Sequence, residues 1–119
     1  MTLSGHVLVV EDNFIIAMDA EEIALQLGAE QVSLAASVDA AEGLMSEHKF
    51  DFAILDVNLG AQTSEPVAES LLKANIPFAF ATGYGEETSL SAKFPGIVFI
   101  EKPYCKESIQ RALAGTGLS

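Results

Sequence analysis

A single cysteine, Cys105, is all this chain offers toward disulfide chemistry, and one thiol closes no internal bridge. The count fits a reducing compartment. No apolar run approaches the ~18 residues that would suggest a membrane-spanning helix, and the amino terminus lacks the charged-then-apolar pattern of a secretion signal. A cytoplasmic protein with no membrane contact is therefore expected. Basic side chains are also scarce: 6 Lys and Arg stand against 17 Asp and Glu, a formal charge of −11. That surplus repels phosphate backbones and argues against a nucleic-acid ligand, leaving proteins or cations as the natural partners. Internal repeats, low-complexity tracts and linkers are missing too. With 119 residues the chain has about the commonest domain size. One domain over 1–119, without an output domain, is the expectation.

What the chain does have is a series of short apolar runs that end on polar or charged residues. The central one is Phe50-Asp51-Phe52-Ala53-Ile54-Leu55-Asp56-Val57-Asn58-Leu59-Gly60. Its length and turn signals suggest a buried strand, although periodicity alone leaves a buried helix segment open. His6-Val7-Leu8-Val9-Val10 stops on Glu11-Asp12, Gln31 to Ala35 is a weaker strand, Phe78-Ala79-Phe80-Ala81 closes on Thr82-Gly83-Tyr84-Gly85, and Ile97-Val98-Phe99-Ile100 ends on Glu101-Lys102-Pro103.

Between the runs, helical spacing recurs. Ile16, Ala20, Ile23, Ala24 and Leu27 define a first helix, capped by Asn13 and stopped at Gly28. Asp39 with Glu42 resembles a capping box for a second helix carrying Leu44 and Met45. A polar loop follows Asp56, and Ser64-Glu65-Pro66 starts a third helix with Val67, Leu71 and Ala74 on its inner side, ended by Asn75 and Pro77. Residues 86–94 suggest a short, irregular fourth helix, and about Lys106 to Ala114 a fifth, burying Ile109 and Leu113. Continuous apolar strands alternating with helices indicate a doubly wound α/β domain around a parallel sheet covered on both faces.

In such sheets ligands bind beyond the carboxyl ends of the strands. Here those ends carry Glu11, Asp12, Asp56, Thr82 and Lys102. Carboxylates ~5 Å apart repel by about 3 kcal/mol per pair at an effective dielectric of ~20, so three of them call for a cation. Oxygen donors select a hard ion, and magnesium, which keeps several waters and few carboxylates, suits the set, with the Asn58 backbone carbonyl as a further donor. Beside such an ion Asp56 can attack a phosphoryl group to form an aspartyl phosphate. The Lys102 ammonium and the Thr82 hydroxyl are placed to bind the phosphoryl oxygens. His6 and His48 are isolated in sequence, Cys105 is a small packed residue, and no histidine or cysteine pair suggests a competing chemistry.

Glu11-Asp12, Asp56, Thr82 and Lys102-Pro103 resemble, in order and approximate spacing, the motif of the response-regulator receiver domain of two-component signalling, over essentially the whole chain. The resemblance implies a flavodoxin-like five-stranded sheet of order 2-1-3-4-5 with about five helices. It implies magnesium held by Glu11, Asp12, Asp56 and the Asn58 carbonyl. Asp56 would accept phosphate from a kinase histidine, Lys102 would bind that phosphate, and Lys102-Pro103 would be a cis peptide. The protein would be a phosphoprotein of a phosphorelay, and not an enzyme beyond the self-catalysed modification of Asp56. Phe80-Ala81-Thr82-Gly83-Tyr84, together with Asp56-Val57-Asn58-Leu59-Gly60, is similar to a Phe-Ala-Thr-Gly-Tyr subgroup of often stand-alone receivers. That similarity implies a sensor histidine kinase of the HWE or a related class as partner, with a phosphotransfer protein as a further candidate.

The family's switch couples Thr82 to the aromatic position held here by Phe99, which has no hydroxyl; Tyr84 is a candidate partner contact. The loop after Asp56 has Gly60-Ala61-Gln62-Thr63 where the family has Met-Pro. Ordering of residues 83–94 is the expected substitute for the usual rearrangement. Two rival readings remain at this level: a receiver-like interaction module that works without phosphorylation, and an aspartyl-phosphate phosphatase. The phosphatase usually needs a second aspartate where Asn58 stands.

Overall fold

Val7, Leu8, Val9 and Val10 carry four apolar side chains in succession, and all four are fully buried. A strand can bury every residue only if both of its faces are covered. The computed structural model describes residues 5–59, 62–82, 93–94, 97–101 and 105–116. In it, strand β1 (His6–Val10) is followed by helix α1 (Phe14–Gln26), β2 (Gln31–Ala35), α2 (Val38–Glu47) and β3 (Phe52–Asp56). Then come a short pair β4 (Asn58–Leu59) and β5 (Gln62–Thr63), helix α3 (Glu65–Lys73), β6 (Phe78–Thr82), β7 (Val98–Glu101) and helix α4 (Lys106–Thr116). Five strands form one parallel sheet in the order β2-β1-β3-β6-β7. Counting only those five along the chain, this is the expected order 2-1-3-4-5.

The pleat sorts alternate side chains to two cores. Leu8, Val10, Ala53, Leu55, Phe78 and Phe80 pack on one face with Val67, Ala68 and Leu71 of α3 and Ala41 of α2. Val7, Val9, Phe52, Ile54, Ala79 and Ala81 pack on the other with Ala20 and Ala24 of α1 and Ile109 and Ala112 of α4. At ~25 cal/mol per Å² of apolar surface, each fully buried Leu, Ile or Phe of this set contributes about 2–3 kcal/mol before entropy is counted.

Helix ends follow local chemistry. Asn13 caps α1, its side-chain oxygen accepting from the Ile15 and Ile16 N–H groups, and Gly28 takes φ 114°, beyond the end of the helix. The cap of α2 lies earlier than the Asp39–Glu42 reading placed it: Ser37 accepts from the Ala40 N–H, so Asp39 sits inside the first turn, where its charge favours the helix dipole. Glu42 instead accepts a 2.8 Å hydrogen bond from Ser70 and ties α2 to α3. Helix α3 starts as expected, with Glu65 and Pro66 in its first turn, and Asn75 leaves it at φ 59°.

Three details of the sequence reading change. After Asp56, Asn58–Leu59 and Gln62–Thr63 pair as two short antiparallel strands, Asn58 opposite Thr63 and Leu59 opposite Gln62, and Leu59 is buried in the core. Ala74 is the exposed C-cap of α3, and Ala68 takes the inner position assigned to it. Ala17, rather than Ile16, is buried in the first turns of α1. The fourth-helix expectation falls largely on residues 83–92, outside the described residues, and the Leu113 side chain lies outside them as well.

Candidate functional site

Parallel strands all deliver their carboxyl ends to the same edge of the sheet, and the register decides which residues meet there. Val10 pairs with Leu55 and with Ala35, so Glu11 and Asp12 emerge beside the end of β3. The Glu11 N–H continues the ladder by donating to the Ala35 carbonyl at 2.9 Å. On the other side of β3, Asp56 is paired with Ala81, and the Val57 N–H donates to the Ala81 carbonyl at 3.3 Å. Thr82 ends β6 opposite Glu101 of β7, so Lys102 is the residue that follows that strand in sequence.

Glu11, Asp12 and Asp56 meet as a result. Each offers a carboxylate oxygen, and these oxygens lie within 4.8 Å of one another. Glu11 is 3% exposed and Asp56 4%, whereas Asp12 is open to solvent. Two of the acids are buried and one is exposed, so the cluster is anionic and meets solvent at Asp12. At 4.8 Å two unit charges at an effective dielectric of ~20 repel by about 3.5 kcal/mol. Among the described residues the donors are all carboxylate oxygens, a set that fits a hard cation such as magnesium better than a soft or borderline metal.

Around the acids the backbone is held closely. The Asn13 N–H donates to Glu11 Oε1 at 3.2 Å, and Ser64, at the entry to α3, donates its N–H to the Val57 carbonyl at 3.0 Å. Thr82 is 1% exposed. Asn58 opens β4, two residues past Asp56. Phe99 lies in β7 as part of an aromatic group, stacked on Phe80 at 6.2 Å, while Phe80 meets Phe94 at 5.5 Å. Phe99, the expected switch position, is thus half-buried and packs against the strand next to β3. Lys102, the Lys102-Pro103 peptide and Tyr84 lie outside the described residues.

His6 and His48, isolated in sequence, are neighbours in space. Their rings stand edge to face at 5.2 Å, with Phe50 4.3 Å from His6. Nε2 of His6 is 2.6 Å from the Ser33 hydroxyl, and its backbone N–H donates to Asp51. Burial, with the charge of His48 adding to it, holds the His6 pKa below the ordinary 6.5, against an opposing pull from Asp51. This group sits where β1 and β3 begin, at the end of the sheet remote from the acids. Cys105 is exposed and not packed as expected, because it precedes α4, where its N–H donates to the Ser108 hydroxyl.

The sequence reading passed over one surface. Phe14, Ile15, Met18 and Leu25 of α1 are exposed large apolar residues, at 68%, 72%, 48% and 47%. Two of them, Phe14 and Ile15, open the helix that begins directly after the acid pair.

No family model matches the chain, and no curated protein does. Solved structures do match. SdrG from Sphingomonas melonis Fr1, a solution structure, is 34% identical with a TM-score of 0.77, covering 98% of both chains. The BeF3-activated conformation of SdrG from Pseudomonas melonis Fr1 is 35% identical with a TM-score of 0.74 over 96% of both. A response regulator receiver domain (CheY-like) from Methylobacillus flagellatus is 22% identical with a TM-score of 0.81, over 96% of this chain and 99% of the other, and so shares the fold.

Proposed function

The chain belongs to the receiver-domain family of response regulators, and from that premise we infer that it is the phosphoacceptor of a histidine-to-aspartate phosphorelay, modified on Asp56. The observation that carries this reading is the meeting of Glu11, Asp12 and Asp56 at the strand ends, with the Asp56 carboxylate buried beside two further acids. The BeF3-activated form of SdrG adds support, since a relative of the same length responds to a tetrahedral mimic of a phosphoryl group.

Asp56 is the attacking group. One of its carboxylate oxygens forms a bond to phosphorus as the bond from phosphorus to the donor's imidazole nitrogen breaks, and the imidazole leaves with the electron pair and takes up a proton. Glu11 and Asp12, with the carbonyl of Asn58, would hold magnesium beside it. That ion supplies positive charge that offsets the repulsion between Asp56 and the incoming anion. Thr82, one strand over, offers a hydroxyl to a phosphoryl oxygen, and Lys102 a point charge. The chain's role ends with its own modification and loss of phosphate, so it is not a turnover enzyme.

The partner is a sensor histidine kinase. Phe14 and Ile15 give an approaching helix an apolar contact next to the acids, and the exposed carboxylates Asp12, Asp19 and Glu22 around them call for a basic rim on that partner. The Phe80 to Tyr84 sequence favours the Phe-Ala-Thr-Gly-Tyr subgroup and a kinase of the HWE or a related class, with a phosphotransfer protein as the alternative donor. Among the described residues no helix is long and apolar enough to cross a membrane, and we place the protein in the cytoplasm, where such kinases present their phosphohistidine.

Profiling of purified kinases with radiolabelled ATP tests the assignment. Label should move from a cognate kinase to the wild type in magnesium and stay on the kinase with Asp56→Asn. Transfer to the mutant at the wild-type rate would remove Asp56 from the mechanism. Transfer to neither protein by any kinase or small phosphodonor would favour an interaction module that works without phosphate.

A further inference from the structure

Glu11 has a longer side chain than an aspartate and more rotamer freedom to lose, so a site that uses its carboxylate needs something to aim it. We propose that Asn13 is that positioning residue: its backbone holds the Glu11 carboxylate while its side chain anchors the backbone to the first turn of α1. The inference rests on the magnesium-dependent receiver reading above.

Four bonds converge on one residue. The Asn13 N–H donates to Glu11 Oε1 at 3.2 Å. Its side-chain Oδ1 accepts from the Ile15 N–H at 3.1 Å and from the Ile16 N–H at 3.2 Å. Its carbonyl accepts from the Ala17 N–H at 2.9 Å. With φ −90° and ψ 111°, Asn13 is in the extended conformation of an N-cap, which its own side chain enforces by satisfying two of the donors that a helix start leaves unpaired. An N–H fixed in this way points where the cap dictates. On the other side of Asp12, the Glu11 N–H is fixed by the Ala35 carbonyl at 2.9 Å. The acid pair is therefore held between a ladder bond and a helix cap, and the cap also reaches the carboxylate itself.

Hydrogen-bond partners that orient a metal ligand alter metal affinity when lost. If Asn13 only capped the helix, removing its side chain would cost stability and leave cation binding alone. If it aims Glu11, the two losses come together. Three variants separate these cases. Asn13→Ala removes the cap. Asn13→Gly removes the side chain but costs only a few tenths of a kcal/mol at an N-cap, so it folds even if the alanine variant does not. Asn13→Ser keeps a capping oxygen. Ser37→Ala, which removes the cap of α2 away from the acids, is the control.

Magnesium affinity is read by calorimetric titration, and unfolding temperature with and without magnesium. The expected result is Mg2+ affinity weakened roughly tenfold in Asn13→Ala and Asn13→Gly, the lower end of the range for a disturbed partner of a metal ligand, because both keep the backbone N–H and lose the cap that aims it. Asn13→Ser should stay near the wild type, and Ser37→Ala should unfold earlier with unchanged affinity. Wild-type affinity in Asn13→Gly would overturn the positioning role while leaving the receiver reading intact. A wild type that binds no magnesium would overturn both.

Discussion

Glu11 and Asp56 bring carboxylate oxygens within 4.8 Å of each other although each side chain is more than nine-tenths buried. The two charges repel one another in the folded state and separate on unfolding, and a cation between them would offset that repulsion. Asp56→Asn should therefore unfold at a higher temperature than the wild type without divalent ions, by the equivalent of about 1–3 kcal/mol, a discounted share of the Coulomb repulsion. Magnesium should raise the wild-type midpoint as RT ln(1 + [Mg2+]/Kd) requires and raise that of the mutant far less. Thermal unfolding of both proteins with EDTA and with magnesium checks the crossing pattern.

A serine at a helix N-cap normally stabilises, and Ser64 should not. Its hydroxyl makes no capping bond to α3, and its Oγ is a fully buried oxygen without a hydrogen-bond partner among the described residues. Ser64→Ala removes a desolvated hydroxyl and no hydrogen bond, so stability should stay level or rise by up to about 1 kcal/mol. Ser37→Ala, where the hydroxyl does accept from the Ala40 N–H, should lose about 1 kcal/mol. Urea unfolding of the pair should show a loss for Ser37→Ala and none for Ser64→Ala.

His6 makes stability depend on pH at the far end of the sheet. Its pKa is lowered in the fold, chiefly by burial and then by His48, with Asp51 pulling the other way. The folded state thus prefers the neutral ring. This contribution is complete above the unfolded value of 6.5 and is lost as pH falls from there through the lower folded value. The drop in midpoint between pH 7.5 and 5.5, as set on the buffers, should be smaller in His6→Gln than in the wild type, with the carboxylates common to both.

Ile15 and Met18 face solvent, so replacing them with serine should change stability by no more than about 0.5 kcal/mol. If they seat the kinase, the double variant should slow phosphotransfer from it by roughly tenfold or more, as loss of a buried apolar contact at an interface does. Modification by a small phosphodonor, which needs no such contact, should continue at the wild-type rate. Parallel time courses with the two donors separate docking from chemistry.

The sheet was legible because strands covered on both faces must be apolar throughout, as Val7 to Val10 and Phe52 to Leu55 are. Their abrupt ends on Glu11, Asp12 and Asp56 then located the acid cluster, since parallel strands end together. The pairing of Asn58–Leu59 with Gln62–Thr63 was hidden because two-residue strands carry no periodicity and are set by contacts beyond the segment. The partnership of His6 and His48 was equally hidden, as it depends on where α2 ends relative to the start of β1. The exposed face of α1 escaped for a different reason. Phe14 and Met18 are as apolar as any core residue, and spacing could not tell which side of the helix meets the sheet. Small Ala17, Ala20 and Ala24 take the inner side, where the helix approaches closely, and the larger residues are left outside.

The carboxylate of Asp56 is the group on which the proposed phosphorylation turns. Incubation with acetyl phosphate and magnesium, followed by intact-mass analysis and mapping of the modified peptide, should give one added phosphoryl group located on Asp56. The adduct should be absent with Asp56→Asn and in excess EDTA. A phosphoryl group of the same abundance on the mutant, or one mapped to another residue of the wild type, would contradict it.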